Sequence, residues 1–416
     1  MVISLLNPSR LLLLFSSTVI LSYFSNIIYQ KTRIPDLIWL LGFGVLIGPV
    51  LGYFEKSLFI QIAPFLVVLS ITLINFGSGL EMDVTSLRSV LPKATILTFA
   101  TFTALTLSLG WISYLLLSDI SLAEGLLLGT ILSGISTVAI VSIMEGLSKV
   151  IPNLESANLI LSLESTLIDP IRIIIAITII RVLIQPLQTP IDNMKDIFAI
   201  LSLATFIGLL IGFLWTIILH RLRFRAYHYM VTIAVLFLVY LIGETIVGEG
   251  GGTISAFVFG LVIANHQSFT KKLGYSLRFD KNRIREFNRE ISFIMKSYYF
   301  VYIGLIVSFS PQFIYAGLLL TAFLIVIRYV IASIVGYILD FSSEELAITR
   351  LSYPLGTSAI VFSQLPLVYD PNQVIIRNPD IYPNIVFPVI LGTIIFSSLI
   401  APYIQLRQLR KQSARE

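Results

Sequence analysis

The chain contains no cysteine, which excludes disulfides, a thiol nucleophile and any thiolate metal site. Histidine is nearly absent too. His220, His228 and His266 lie near loops and make no convincing metal cluster. Charge is scarce: Asp, Glu, Lys and Arg make up 12% of the 416 residues, about half the usual share. No nucleophile–base constellation stands out, so the chain is not read as an enzyme, and no cofactor is implied. What the sequence has in abundance is apolar residues, at 56%. They recur in runs long enough to cross a bilayer, and the gaps between runs hold no large soluble domain. The net charge of +5 would suggest nucleic acid in a soluble protein. Here the basic residues fall in loops, so they report topology, and no nucleic-acid partner is expected. The opening MVISLLNPSRLLLLF lacks a basic leader and a cleavage signal, and reads as the start of the first span.

The fold expected is an all-α polytopic membrane protein with about thirteen transmembrane helices. The spans are residues 11–30, 35–53, 58–79, 93–117, 121–146, 156–183, 196–220, 228–247, 251–267, 291–309, 311–339, 344–368 and 384–405. Basic residues cluster after odd-numbered spans: Lys31 and Arg33, His220 to Arg225, seven Lys or Arg between Lys271 and Arg289, and Arg407 to Arg415. The positive-inside rule then places the C-terminus in the cytoplasm and the N-terminus outside. The segment 278–290 mixes many charges with Phe279, Ile284 and Phe287. It reads as a cytoplasmic surface helix leading into span 10, its basic face open to anionic lipid. Gly42, Gly44, Gly48 and Gly52 would let span 2 pack closely on a neighbour.

Two spans are interrupted. Span 5 holds Gly134-Ile-Ser-Thr137 midway, and span 12 holds Ser352-Tyr-Pro-Leu-Gly356. Pro354 removes a donor and Gly356 loosens the backbone. Broken backbone is tolerated at membrane depth only inside protein or against a cavity. Spans 5 and 12 are seven apart, and an odd offset inverts topology. Spans 1–6 therefore read as an inverted repeat of spans 8–13, span 7 linking them, with the two broken helices crossed.

Span 6 carries Glu164 and Asp169, with Pro170 directly after. Intramembrane carboxylates are costly and point to function by default. Asp169 is the best candidate for a group that holds either a cation or a proton. Pro170 has no N–H, so the Thr166 carbonyl is left without its helix partner. Ser165 and Thr166 add hydroxyls one turn back; Ser133, Ser136 and Thr137, with the carbonyls around Ile135, add more. Such oxygen-rich surroundings suit sodium or lithium rather than a transition metal. Glu164 lies about 140° around the helix from Asp169, so it is expected to pair elsewhere. Arg328, deep in span 11, is the expected partner. Arg172 is i+3 from Asp169. It either shields Asp169, snorkels to an interface, or pairs with Glu124 or another acid. Glu81, at the end of span 3, either lines a cytoplasmic funnel or is a solvated helix end.

These stretches, in this order, resemble the monovalent cation:proton antiporter superfamily, especially its thirteen-helix sodium/proton exchanger branch. The resemblance runs from about Pro35 to Pro402. It rests on PDLIWLLGFGVLIGPVLG from Pro35, FGSGLEMDVTSL from Phe76, Gly129 to Ile140, LESTLIDP from Leu163 and AFVFGLVIAN from Ala256. It implies that Asp169 is the cation and proton carboxylate, that Ser165, Ile135 backbone and Ser136 are further ligands, and that Glu164–Arg328 is a structural ion pair. Glu81 falls where an acid helps control cytoplasmic access. A homodimer is implied, with a core moving against a dimer scaffold. By chain position the scaffold takes 1–92 and 184–267, the core takes 93–183 and 291–405, the surface segment is 268–290 and the basic tail 406–416. This sequence departs from the pattern at Ser136, Thr137, Ile168, Leu355 and Arg172. The function implied is exchange of Na+, or Li+, for H+ at the cell membrane, electroneutral because one carboxylate carries one charge either way. The alternatives are K+/H+ exchange, anion uptake paired by Arg172, or a sensor that keeps the fold without exchange.

Overall fold

The computed structural model describes residues 8–32, 36–54, 56–82, 90–136, 139–140, 143–144, 147, 154–184, 190–268, 277–306, 310–370, 372–376 and 378–400. Within them the regular structure is helical. In chain order the helices are α1 (Pro8–Thr32), α2 (Asp36–Val45), α3 (Lys56–Glu81), α4 (Leu91–Leu116), α5 (Leu122–Leu132), α6 (Glu155–Ile184), α7 (Pro190–Leu222) and α8 (His228–Val247). There follow α9 (Gly251–Ala264), α10 (Lys281–Ile306), α11 (Pro311–Ile338), α12 (Ser343–Leu351), α13 (Thr357–Phe362), α14 (Leu365–Tyr369) and α15 (Ile381–Ile395). Each of the thirteen expected ranges contains described helix. Among the described residues six helices, α3, α4, α7, α8, α11 and α15 with the π-turn that continues it, hold stretches long and apolar enough to cross a bilayer. Their outer faces leave Phe198, Phe206, Leu214, Leu238 and Val326 exposed, which is the pattern of a surface meant for lipid rather than water.

Local chemistry sets several of the boundaries. Ser121 and Ser342 each stand three residues before a glutamate, Glu124 and Glu345. Both pairs form reciprocal capping boxes that open α5 and α12, satisfying donors the first turn would leave bare. Pro92 and Pro311 sit at the first turns of α4 and α11, where a missing N–H is harmless. Between α8 and α9 the chain turns through Gly248 and Gly250, both at positive φ, 94° and 87°. That is backbone only glycine adopts without strain. The carboxylate of Glu244 fixes the turn by accepting from the N–H groups of Gly250 and Gly252, at 3.2 and 3.0 Å.

Span 2 ends in a π-turn, Leu46–Val50, around Pro49. Of its glycines, Gly44 and Gly48 lie against α10: a Cβ at Gly44 would sit 2.2 Å from the Val301 carbonyl oxygen, and one at Gly48 2.9 Å from Leu305. Gly42 has open space around it, so the close contact belongs to only one edge of the helix.

The charged segment 278–290 leads straight into span 10: residues from Lys281 onward are the first turns of α10, which runs unbroken to Ile306. Arg283, Glu286 and Arg289 stay exposed on its outer face, while two of its cations are held against protein. Arg285 donates to the Leu80 carbonyl at 2.7 Å, at the end of α3, and Lys281 donates to the Ala264 carbonyl at 3.1 Å, at the end of α9. The last carbonyls of a helix lack intrahelical donors and form the negative end of its dipole. Cations placed there stabilise both ends at once.

Candidate functional site

The two interruptions meet. After α5 the backbone leaves helical geometry at Ser133 to Ser136, and between α12 and α13 it is non-helical from Ser352 to Gly356. The N–H of Ser136 donates to the Pro354 carbonyl at 2.8 Å. The Tyr353 hydroxyl donates to the Ser133 carbonyl at 2.8 Å. Backbone groups that lost their helix partners therefore find one another across the crossing, as burial requires. The approach is close: a Cβ on Gly356 would lie 2.7 Å from the Cβ of Ser136. The Leu355 N–H is taken by the Thr393 hydroxyl of α15, at 3.1 Å.

Helix α6 passes beside this crossing with both carboxylates buried. Glu164 turns one way. Arg328 of α11 donates to its two oxygens at 2.5 and 2.9 Å, and the same guanidinium reaches the Thr349 carbonyl and the Thr101 hydroxyl at 2.7 and 2.9 Å. Nε, Nη1 and Nη2 of that guanidinium all end on oxygen, which is the condition for a buried ion pair to persist. The ring of Tyr353 lies under it, 4.6 Å from Cζ.

Asp169 turns the other way, into the crossing. Arg172 donates to its Oδ1 at 2.8 Å, and the Ser358 hydroxyl is hydrogen-bonded to the same carboxylate. Arg172 is fully buried. Its Nε donates to the Thr130 carbonyl at 3.3 Å, its Nη2 to the Ile131 carbonyl, and its Nη1 also to Ser358 Oγ at 3.1 Å. The ring of Phe362 stands 4.8 Å from Cζ, within reach of a cation–π contact. The remaining room is taken from Gly134, where a Cβ would fall 1.8 Å from Nη1.

The other expected ligands take local partners. Ser165 Oγ and Thr166 Oγ1 both donate to the Ser162 carbonyl, each at 2.8 Å. Ser136 Oγ accepts from the Ala139 N–H at 3.3 Å, capping the helix that resumes there. Ile135 is buried in the interruption itself. Thr137 lies outside the described residues. Glu81 is paired with Arg289 at 3.2 Å. Of the three courses open to Arg172, the structure places it on Asp169, while Glu124 serves its capping box. Sequence reasoning gave Ser358 and Phe362 no role at the site. The signal was present in Ser358, a hydroxyl two residues after Gly356, where the helix resumes.

Crossed interruptions in a helical membrane protein, with a buried carboxylate at the crossing, define a secondary active ion transporter. The chain belongs to the sodium/hydrogen exchanger transmembrane family, whose model matches residues 16–406. It is thus a cation/proton antiporter and not an enzyme. A search of curated proteins finds no match. Among solved structures, the sodium proton antiporter MjNhaP1 from Methanocaldococcus jannaschii at pH 8 is similar with a TM-score of 0.78 and 20% identity, over 94% of this chain and 99% of that one. A second structure of that antiporter, from an electron-microscopy map, gives a TM-score of 0.68 at 19% identity, over 97% and 98% of the two chains. At that identity the likeness is one of fold.

Proposed function

We propose that this exchanger carries its cation and its proton in turn on Asp169, one for one, and that the cation is Na+ or Li+. The observation that carries the reading is the position of Asp169. It is a buried carboxylate beside the point where two interrupted segments bond to each other through Ser136 and Pro354. A carboxylate there holds a hard monovalent ion or a proton, and the second to arrive must expel the first. Carbonyl and hydroxyl oxygens of the interruption, at Ile135, Ser136 and Thr137, and the hydroxyls of Ser165 and Thr166, supply the remaining oxygen donors as the core domain moves. A single carboxylate gives electroneutral exchange. The Glu164–Arg328 pair serves as a rigid brace behind the site.

The same reading takes the chain as a homodimer, with scaffold segments 1–92 and 184–267 flanking a core of 93–183 and 291–405. The basic loops and the tail 406–416 lie in the cytoplasm, by the positive-inside rule, near anionic lipid. The test is cation-driven proton flux in proteoliposomes with Na+, Li+ and K+ in turn. Asp169→Asn should abolish exchange while the protein remains monodisperse. Flux at the unmodified level in that variant would refute the role of Asp169, and flux with K+ alone would reassign the cation.

A further inference from the structure

We propose that Arg172 is a tethered cation: it occupies Asp169 when no ion is bound, and the transported cation must displace it. The inference rests on Asp169 being the exchange carboxylate. Three observations lead to it. First, the guanidinium is on Asp169 itself, at 2.8 Å, with no exposure. A metal cation on the same carboxylate would face a second full positive charge a few ångströms away in an interior that screens it poorly. Both cannot remain.

Second, the guanidinium has a place to wait. Its hold on Asp169 and Ser358 runs through Nη1 alone, whereas Nε and Nη2 are engaged with the Thr130 and Ile131 carbonyls. Those carbonyls end α5 and form its negative pole, and Phe362 offers its ring face to the same group. A rotation that frees Nη1 leaves the charge still bonded to α5, so releasing Asp169 does not strand a buried cation. Third, the chain makes room for this group in particular. Gly134 is the residue whose side chain would collide with it, 1.8 Å from Nη1 and 2.3 Å from Cζ.

A self-occupied site binds its substrate only in the fraction of molecules where the arginine has stepped aside, and apparent affinity falls by that fraction. Arg172 therefore sets apparent affinity, by the same factor for each cation. It is a positioning and affinity-setting residue rather than a ligand.

The test is the KM for Na+ and Li+ of exchange in proteoliposomes, with monodispersity checked for each variant. Arg172→Gln should lower KM by about tenfold, the value for an arginine engaged nine-tenths of the time, with kcat not raised in proportion. Arg172→Lys keeps the charge, and so the fold, but lacks the fork that ties the head group to two carbonyls. Its KM should fall by a smaller factor. In Arg172→Ala, millimolar guanidinium chloride should compete with Na+, raising KM without changing kcat. An unchanged or raised KM in both the Gln and Lys variants, or guanidinium inhibition that Na+ does not relieve, overturns the proposal and leaves Arg172 a clamp between α5 and α6. Asp169→Asn separates the outcomes. If that variant still exchanges, the reading of the site fails. If it is inactive while the Arg172 variants keep the native KM, only the tethered cation fails.

Discussion

The guanidinium of Arg328 holds Glu164 by both carboxylate oxygens, at 2.5 and 2.9 Å, and neither side chain reaches solvent. Removing one partner of such a pair leaves an unpaired charge in the interior, which costs about 3–5 kcal/mol. Glu164→Leu alone should therefore lower thermal stability sharply in detergent. Combined with Arg328→Met it should lower it less than Glu164→Leu alone does, because no charge is then stranded. Unfolding midpoints for the two single variants and the double variant decide the matter. Losses that simply add would mean the two residues contribute independently.

Tyr353 stands between the two ion pairs, with its ring 4.6 Å from the Arg328 Cζ and its hydroxyl on the Ser133 carbonyl. Tyr353→Phe keeps the ring and removes the one bond that ties it to the end of α5. A single buried hydrogen bond contributes about 1 kcal/mol, and the unfolding midpoint should fall accordingly. A fall several times larger would show that the hydroxyl supports the whole crossing. No measurable fall would show that the Ser133 carbonyl is satisfied without it.

Gly356 tests the crossing itself. Alanine there places a methyl carbon 2.7 Å from the Cβ of Ser136, and neither side can yield without parting the Ser136–Pro354 bond. Gly356→Ala should depress exchange strongly. Cation-driven flux in proteoliposomes at the unmodified level would mean that the two segments stand apart during transport.

How much of this was written in the sequence depends on what each feature is made of. The helices follow from apolar runs, and the interruptions follow from Gly-Ile-Ser and Pro-Leu-Gly, whose effect on the backbone is local. The contact of Glu164 with Arg328 follows from cost: a buried acid needs a buried base, and span 11 contains one. Arg172 was harder. Its i+3 spacing puts it on the face of Asp169, but spacing does not fix the side-chain torsions, and its other partners are the Thr130 and Ile131 carbonyls. Backbone oxygens carry no residue letter. The same blindness hid how 278–290 is anchored, since Arg285 and Lys281 also end on carbonyls, those of Leu80 and Ala264.

Asp370 gives a pH-dependent expectation outside the membrane-spanning segments. Burial pushes its carboxyl up, but the N–H groups of Ile376, Ile375 and Val374 outweigh that and hold it below the usual carboxylate value. A depressed folded value means that ionised Asp370 stabilises the fold above the unfolded value, near ~3.9. That stabilisation is lost as pH falls through the folded value. Asp370→Asn should thus be less stable than the native chain at pH 7. The gap should narrow on acidification below about pH 4. Unfolding midpoints of both proteins across that range check the sign, and a gap that widens in acid would contradict it.

Glu81 offers the sharpest separation of structure from access. Its bond to Arg289 is 3.2 Å long, and the arginine side chain is 64% exposed; pairs so exposed contribute less than about 1 kcal/mol. Glu81→Gln should therefore leave the unfolding midpoint nearly unchanged. If the carboxylate draws cations toward the mouth on its side of the membrane, the same variant raises the KM for Na+ at low ionic strength. Adding choline chloride should erase the difference, because the screening length shrinks to about 10 Å at 0.1 M. Arg289→Ala, which uncovers Glu81, should move KM the opposite way. A KM shift of equal size at every salt concentration would point to a change in the site itself rather than to attraction at a distance, and no shift at all would reduce Glu81 to a solvated helix end.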